Sequence, residues 1–340
     1  MPLLPSFDRS FTPRGRRASG LLALASLIAL TAGCASAPAH SNPDAGDAAA
    51  PAVTDNCGVE VALDHPPQRV VTIKSTTTEL LLALGLGDRI VGAAFLDGPV
   101  PEQWADDAAG IPVISDFAPS QEAVLDLEPD FVFAGWESNL TADAAGERAT
   151  LASFGVGTYV APSACKAPEY KPEKLTFDVL FDEIAEAGDV FGAETEAAEL
   201  IDQQRERLAD IEPSTAGLTA LWYSSGSDTP YVGAGIGAPQ LVMETAGLEN
   251  IAAGIEDTWT SLGWESVIEA DPDVIVLVDA SWNTAAKKIE LLKSNPVTAE
   301  LTAVRRDRFV VVPFAAGEAG VRSVEAVASV VAQLGELGIG

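Results

Sequence analysis

Between residues 69 and 160 short apolar runs alternate with helical patterns. Val70-Val71-Thr72-Ile73, residues 90–93, Phe131-Val132-Phe133 and Thr158-Tyr159-Val160 are β-branched or aromatic runs of strand length, whereas residues 78–84, 121–127 and 142–154 have helical character. Such alternation predicts a parallel sheet wrapped by helices. Residues 172–211 break the rhythm. There Leu175, Val179, Leu180, Ile184, Ala187, Val190, Phe191, Ala198, Ile201 and Leu208 recur with charges between them, which predicts one long amphipathic helix with Gly188 or Gly192 as its breaking point. Alternation then resumes from Leu218 and closes with a helical pattern over residues 321–337. The fold class expected is therefore α/β: two doubly wound α/β lobes, residues 56–170 and 213–340, joined by one long helix at 171–212, with a ligand cleft between them.

The first residues read as a targeting segment. Arg14, Arg16 and Arg17 precede an apolar run at 21–30, and Leu30-Thr31-Ala32-Gly33-Cys34 follows. The run is short of the roughly 20 residues that cross a bilayer, so residues 1–33 are expected to be a cleaved secretory signal. Leu30-Thr31-Ala32-Gly33-Cys34 resembles a bacterial lipobox, which makes Cys34 the expected lipid anchor on the outer face of the cell membrane. An ordinary secretory signal is the alternative. Residues 34–55, rich in Ala, Ser, Pro and Asp, read as a flexible tether.

The net charge is −30. A surface so acidic repels phosphate backbones, which excludes nucleic acid as the expected partner and leaves the membrane contact to the lipid alone. There are three cysteines, and lipidation of Cys34 would leave Cys57 and Cys165 as a pair in an oxidising compartment. A disulfide or two buried thiols would satisfy that count. The two histidines are His40, in the tether, and His65, so no imidazole cluster is expected to hold a metal, and no cofactor of the protein's own is expected.

Two segments repeat one pattern. Gln121-Glu122-Ala123-Val124-Leu125-Asp126-Leu127-Glu128-Pro129-Asp130-Phe131-Val132 and Trp264-Glu265-Ser266-Val267-Ile268-Glu269-Ala270-Asp271-Pro272-Asp273-Val274-Ile275 both place Pro-Asp at the same distance after a glutamate. In each, a short helix opens near the glutamate and ends before Pro-Asp turns the chain into a buried strand. With the matching stretches at 67–92, 120–135, 155–160, 239–251 and 262–278 and the final helix, the chain resembles the iron-siderophore and cobalamin class of periplasmic binding proteins of ABC importers. The resemblance implies a monomeric solute-binding protein that delivers a small molecule to a permease dimer and its separate ATPase. It also implies that Glu122 and Glu265, one on each lobe, dock onto permease arginines.

In doubly wound lobes ligands meet the carboxyl ends of strands. The residues there are Lys74-Ser75-Thr76-Thr77, Phe95, Trp136, Tyr223, Trp282 and Phe314, and the resemblance adds Trp259. Lys74 and Arg322 are the cations expected to meet an anionic group, Lys74 aided by the amides of the helix that Ser75, Thr76 and Thr77 open. For each aromatic, core packing remains the alternative to ligand contact. The stretch Asn56-Cys57-Gly58-Val59-Glu60-Val61, with residues 71–79, is similar to an actinobacterial subgroup proposed to import a precursor of the deazaflavin coenzyme F-420. A ferric siderophore or corrinoid is the broader alternative ligand.

The rival class is a secreted hydrolase using Glu122 and Glu265. Glycosidase chemistry needs the two carboxyls about 5–10 Å apart, which equivalent positions on two lobes do not suit. His65 sits beside Pro66-Pro67 in an early turn, far from any triad pattern, and no Gly-Lys-Ser/Thr phosphate loop is present. An enzyme is therefore not expected.

Overall fold

The computed structural model describes residues 52–340; the stretch read as a secretory signal, Cys34, His40 and most of the expected tether lie outside the described residues. The first lobe opens with an antiparallel hairpin, β1 (Ala52–Asn56) and β2 (Val59–Leu63), so the tether read to Asp55 ends earlier than expected. Positive φ at Cys57 and Gly58 makes the two-residue turn the type that matches strand twist. There follow β3 (Val70–Ile73), α1 (Ser75–Ala83), β4 (Ile90–Ala94), α2 (Ala105–Ala108), β5 (Val113–Ser115), α3 (Gln121–Leu125), β6 (Phe131–Ala134), α4 (Arg148–Ser153) and β7 (Gly157–Val160). Strands β3 to β7 form one parallel sheet in the order β5-β4-β3-β6-β7. The helix expected over 142–154 is confined to α4, because Gly146 (φ 107°) takes part in a turn ahead of it.

The joining segment is not one rod. It is α5 (Phe177–Phe191) and α6 (Glu194–Ala209), and the chain turns between them at Gly192, whose left-handed backbone (φ 63°) ends the first helix. Gly188 lets the second helix come close: a Cβ there would lie 2.6 Å from that of Ala197. Phe191 packs on Phe131 and Phe133 of the first lobe, while Gln204 donates to the carbonyl of Val321 in the second.

The second lobe comprises β8 (Leu218–Ser225), β9 (Tyr231–Gly233), α7 (Ala238–Thr245), β10 (Leu248–Asn250), β11 (Trp259–Ser261), α8 (Trp264–Ala270), β12 (Val274–Asp279), α9 (Ala285–Ser294), α10 (Thr302–Arg305), β13 (Phe309–Pro313) and α11 (Ser323–Glu336). Its sheet is mixed. Strands β10, β12 and β13 run parallel to their neighbours, whereas β9 and β11 are antiparallel additions at the carboxyl end of β8.

Alternate residues of the central strands face opposite layers. Val71, Ile73, Val132 and Ala134 point to one layer of the first lobe, and Leu221, Tyr223, Ile275 and Leu277 to one layer of the second. The opposite faces, Val70, Phe131 and Phe133 in one lobe and Ala220, Trp222, Val274 and Val276 in the other, belong to a single apolar core that runs through α1, α5, α7 and α11. The repeated Pro-Asp element does the same work in both lobes. Asp130, ahead of β6, accepts from the amides of Gln68 and Arg69 just before β3, and Asp273, ahead of β12, accepts from the amide of Thr219 at the start of β8.

Candidate ligand-binding cleft

Strand β3 ends at Lys74, whose backbone (φ 89°, ψ 150°) occupies a region otherwise nearly reserved for glycine. Strain of that kind persists only where the surroundings enforce it, and here they do. The Lys74 amide donates to Ala94 O at 2.9 Å, and the side chain, 0% exposed, is ion-paired with Asp97. Gly135 lies so close that a Cβ would sit 2.7 Å from that of Lys74. Asp97 is also bound to the opening of α1: its amide donates to Ser75 Oγ at 2.8 Å, and the Ser75 amide faces Asp97 Oδ2 at 3.4 Å. The helix N-terminus expected to take a ligand's anionic group thus holds the chain's own carboxylate.

Three rings close over the ammonium. Lys74 Nζ lies 3.8 Å from the centre of Trp136, 4.2 Å from Phe95 and 4.7 Å from Phe314, distances at which a cation is attracted to the ring face. Phe95 and Trp136 come from the first lobe and Phe314 from the second, so the caged lysine joins the two lobes. Phe117 stands edge-on to Phe95 and Trp282 edge-on to Phe314, while Trp259 stacks on Tyr231 with ring centres 5.9 Å apart. Together these rings wall a cleft of about 480 Å³ between the lobes. A second cavity of about 70 Å³ adjoins it behind Trp136 and Trp259.

Two carboxylates complete the floor. Glu318 Oε2 accepts from Trp136 Nε1 at 2.8 Å, a hydrogen bond across the lobes. Burial pushes the Glu318 carboxyl above the usual range, against the lowering effects of the Lys74 charge and the indole N–H; burial likewise raises Asp97 against the pull of Lys74. Further in, Arg322 clasps Glu79 with both nitrogens of its fork, at 2.7 and 2.5 Å, and donates to Pro99 O at 3.1 Å. Burial raises Glu79 too, with Arg322 opposing.

Of the residues singled out from sequence, Lys74, Phe95, Trp136, Trp259, Trp282 and Phe314 line the cleft, and Thr76 lines the smaller cavity beside it. Ser75 and Thr77 are buried and already engaged, Ser75 accepting from the Asp97 amide and Thr77 donating to Ile73 O and Lys74 O. For Lys74, Arg322 and Tyr223 the expected roles change. Lys74 and Arg322 are not free cations, because each already has a buried carboxylate partner. Tyr223 is core: it is 1% exposed, packs edge-on against Trp264 and donates to Gly226 O. Glu122 and Glu265 are exposed in the first turns of α3 and α8, and neither lines the cleft. Cys57 and Cys165 are joined as a disulfide, Cα atoms 5.3 Å apart. Sequence reasoning missed Asp97, Glu318, Tyr231, Phe117 and Lys166. Asp97 follows Phe95 by two residues at the end of β4, and Glu318 follows Phe314 by four after β13, so strand-end position was a signal available for both.

The family described as periplasmic binding protein matches residues 70–316. A cobalamin-binding protein of Halobacterium salinarum is 29% identical over 282 residues, 77% of this chain and 69% of that protein. An uncharacterized ABC transporter substrate-binding lipoprotein of Bacillus subtilis is 23% identical over 241 residues, 69% and 71% of the respective lengths. Among solved structures, that of an ABC-type Fe3+-hydroxamate transport system from Saccharomonospora viridis superposes with a TM-score of 0.73 at 26% identity, covering 84% of this chain and 99% of that one.

Proposed function

Since the chain belongs to the family of periplasmic binding proteins, we propose that it captures a ring-shaped small molecule or metal chelate in the aromatic cleft and passes it to an ABC permease driven by a separate ATPase. The observation that carries the proposal is the wall of Phe95, Trp136, Trp282 and Phe314, contributed by both lobes just after their strands, together with Trp259 at the start of β11. Flat rings bury large apolar area against such walls. A corrinoid or ferric siderophore suits the cleft, and the names of the Halobacterium and Saccharomonospora relatives support that class. The deazaflavin precursor loses one of its supports, because Lys74 and the opening of α1, expected to meet its phosphodiester and carboxylate, are engaged by Asp97. A lipid on Cys34 would hold the monomer to the outer face of the membrane. Hydrolysis finds no machinery in Glu122 and Glu265, which are exposed away from the cleft.

Tryptophan fluorescence tests the proposal. Titration with cyanocobalamin, ferrioxamine B and haemin should give saturable quenching by at least one of them. Trp282→Ala, which removes an exposed wall and leaves the cores untouched, should weaken that binding about ten-fold or more. Absence of saturable quenching by all three, or quenching indifferent to both Trp282→Ala and Trp259→Ala, would overturn it.

A further inference from the structure

The cleft's polar groups are unequal in what they leave free for a ligand. Lys74 is caged by three rings and neutralised by Asp97, Arg322 is clasped by Glu79 and Pro99, and the opening amides of α1 face Asp97. Glu318 is different. One oxygen accepts from Trp136, and the other accepts no hydrogen bond from the described residues. Its carboxylate stands where the cleft and the smaller cavity meet, both of which it lines together with Trp136 and Trp259.

The charged and titratable groups that face this carboxylate do not cancel it. Lys74 attracts it, but Asp97 beside Lys74 repels it. Lys166 also attracts it from the rim, where the lysine is exposed and water screens it. Tyr231 contributes a neutral phenol, its proton held more tightly than usual by burial and by Asp257 and Glu318. An anionic group brought against this floor meets an acid whose one unpaired cation among the lining residues is the exposed, screened Lys166 at the rim, in a site from which the ligand's rings exclude water. A neutral N–H brought to the same place gains a charge-assisted hydrogen bond to the open oxygen of Glu318.

We infer that Glu318 makes the cleft selective among ring ligands: it accepts those whose periphery presents neutral hydrogen-bond donors such as amides, and it disfavours the same ring when carboxylates replace them. The inference rests on the cleft being the ligand site, as proposed above. Because burial raises the Glu318 carboxyl, it takes up a proton at a higher pH than an exposed glutamate. The charge that discriminates is therefore lost, and selectivity fades, at a higher pH than titration of an exposed glutamate would give.

A matched pair of probes reads the effect. Dicyanocobinamide and dicyanocobyrinic acid share one corrin ring and differ chiefly in carrying amides or carboxylates around it. With the secreted chain at neutral pH, the amide form should bind about ten-fold tighter or more. Glu318→Gln, which keeps an acceptor for Trp136, should reduce that ratio to about two-fold, mainly by strengthening the acid form, and Lys166→Gln should leave the Glu318 effect in place. The same ratio in the unaltered protein should shrink as the pH is lowered, an arm that needs no variant to fold. A wild-type ratio near one, or a ratio that survives Glu318→Gln at full size, overturns the inference while leaving the cleft assignment standing. Failure of both corrinoids to bind, with saturable binding of ferrioxamine B or haemin indifferent to Glu318→Gln, also overturns it. Failure of every probe removes the cleft assignment and the inference with it.

Discussion

At the scale of single residues, the cleft is organised by a lysine that touches no solvent. Lys74 sits in a backbone region that costs a non-glycine residue about 1–3 kcal/mol, and its ammonium is buried among rings. What makes this tenable is Asp97, which supplies the opposite charge and anchors to Ser75. Removing one member of a buried pair leaves the other charge without compensation, which commonly costs about 3–5 kcal/mol, whereas replacing both with apolar side chains is often nearly neutral. Asp97→Ala should therefore lower the unfolding free energy read from a urea titration by an amount in that range, and Lys74→Met combined with Asp97→Leu should recover much of it. A single variant as stable as the parent would show that the pair contributes nothing to the fold. The partnership was invisible in the sequence: Lys74 at a strand end was legible, but nothing in the chain's pattern told that Asp97 would turn back onto it, or that Glu79 would meet Arg322 from 243 residues away.

At the scale of elements, legibility followed burial. The runs at Val70–Ile73, Phe131–Ala134 and Val274–Asp279 were readable because parallel strands covered on both faces are apolar throughout. Strands β5, β9, β10 and β11 have three residues each and exist only through the neighbour they pair with, so no local pattern announced them. The hairpin β1–β2 escaped notice for a similar reason: tertiary contacts hold it. Asn56 makes two hydrogen bonds of 2.8 Å to the backbone of Val160, extending the edge at β7, and the adjacent Cys57 is bonded to Cys165. The bridge spans 108 residues, for which chain entropy gives about 4–5 kcal/mol. Replacing both cysteines with serine should lower the unfolding free energy by an amount of that order, measured by denaturant titration. It should also loosen the hairpin first, seen as faster amide exchange over residues 52–63. Equal stability and equal exchange would mean that the hydrogen bonds of Asn56, Thr54 and Arg148 fasten the hairpin without the bridge.

At the scale of the molecule, the lobes share one apolar core through α1, α5, α7 and α11, so swinging them far apart would expose surface that costs about 25 cal/mol for each Å². A protein so built presents a nearly fixed outer geometry, and that bears on how it meets a permease. Glu122 and Glu265 are exposed in the first turns of α3 and α8. The chain after each helix is pinned to the neighbouring strand through Asp130 or Asp273, and α3 is capped by Ser120 accepting from the amide of Ala123. Both carboxylates are thus held on rigid platforms, one for each lobe, at a spacing the shared core preserves. A permease with two similar halves can meet such a pair with one cation on each half, and losing a charge-assisted contact at a desolvated interface commonly costs about 2–5 kcal/mol. Glu122→Ala or Glu265→Ala alone should reduce uptake about ten-fold or more, and the double variant should abolish it, while the affinity of the purified protein for its cleft ligand stays as it was. Normal uptake by the double variant would reduce these acids to helix-opening charges that favour the dipole by a few tenths of a kcal/mol and nothing more.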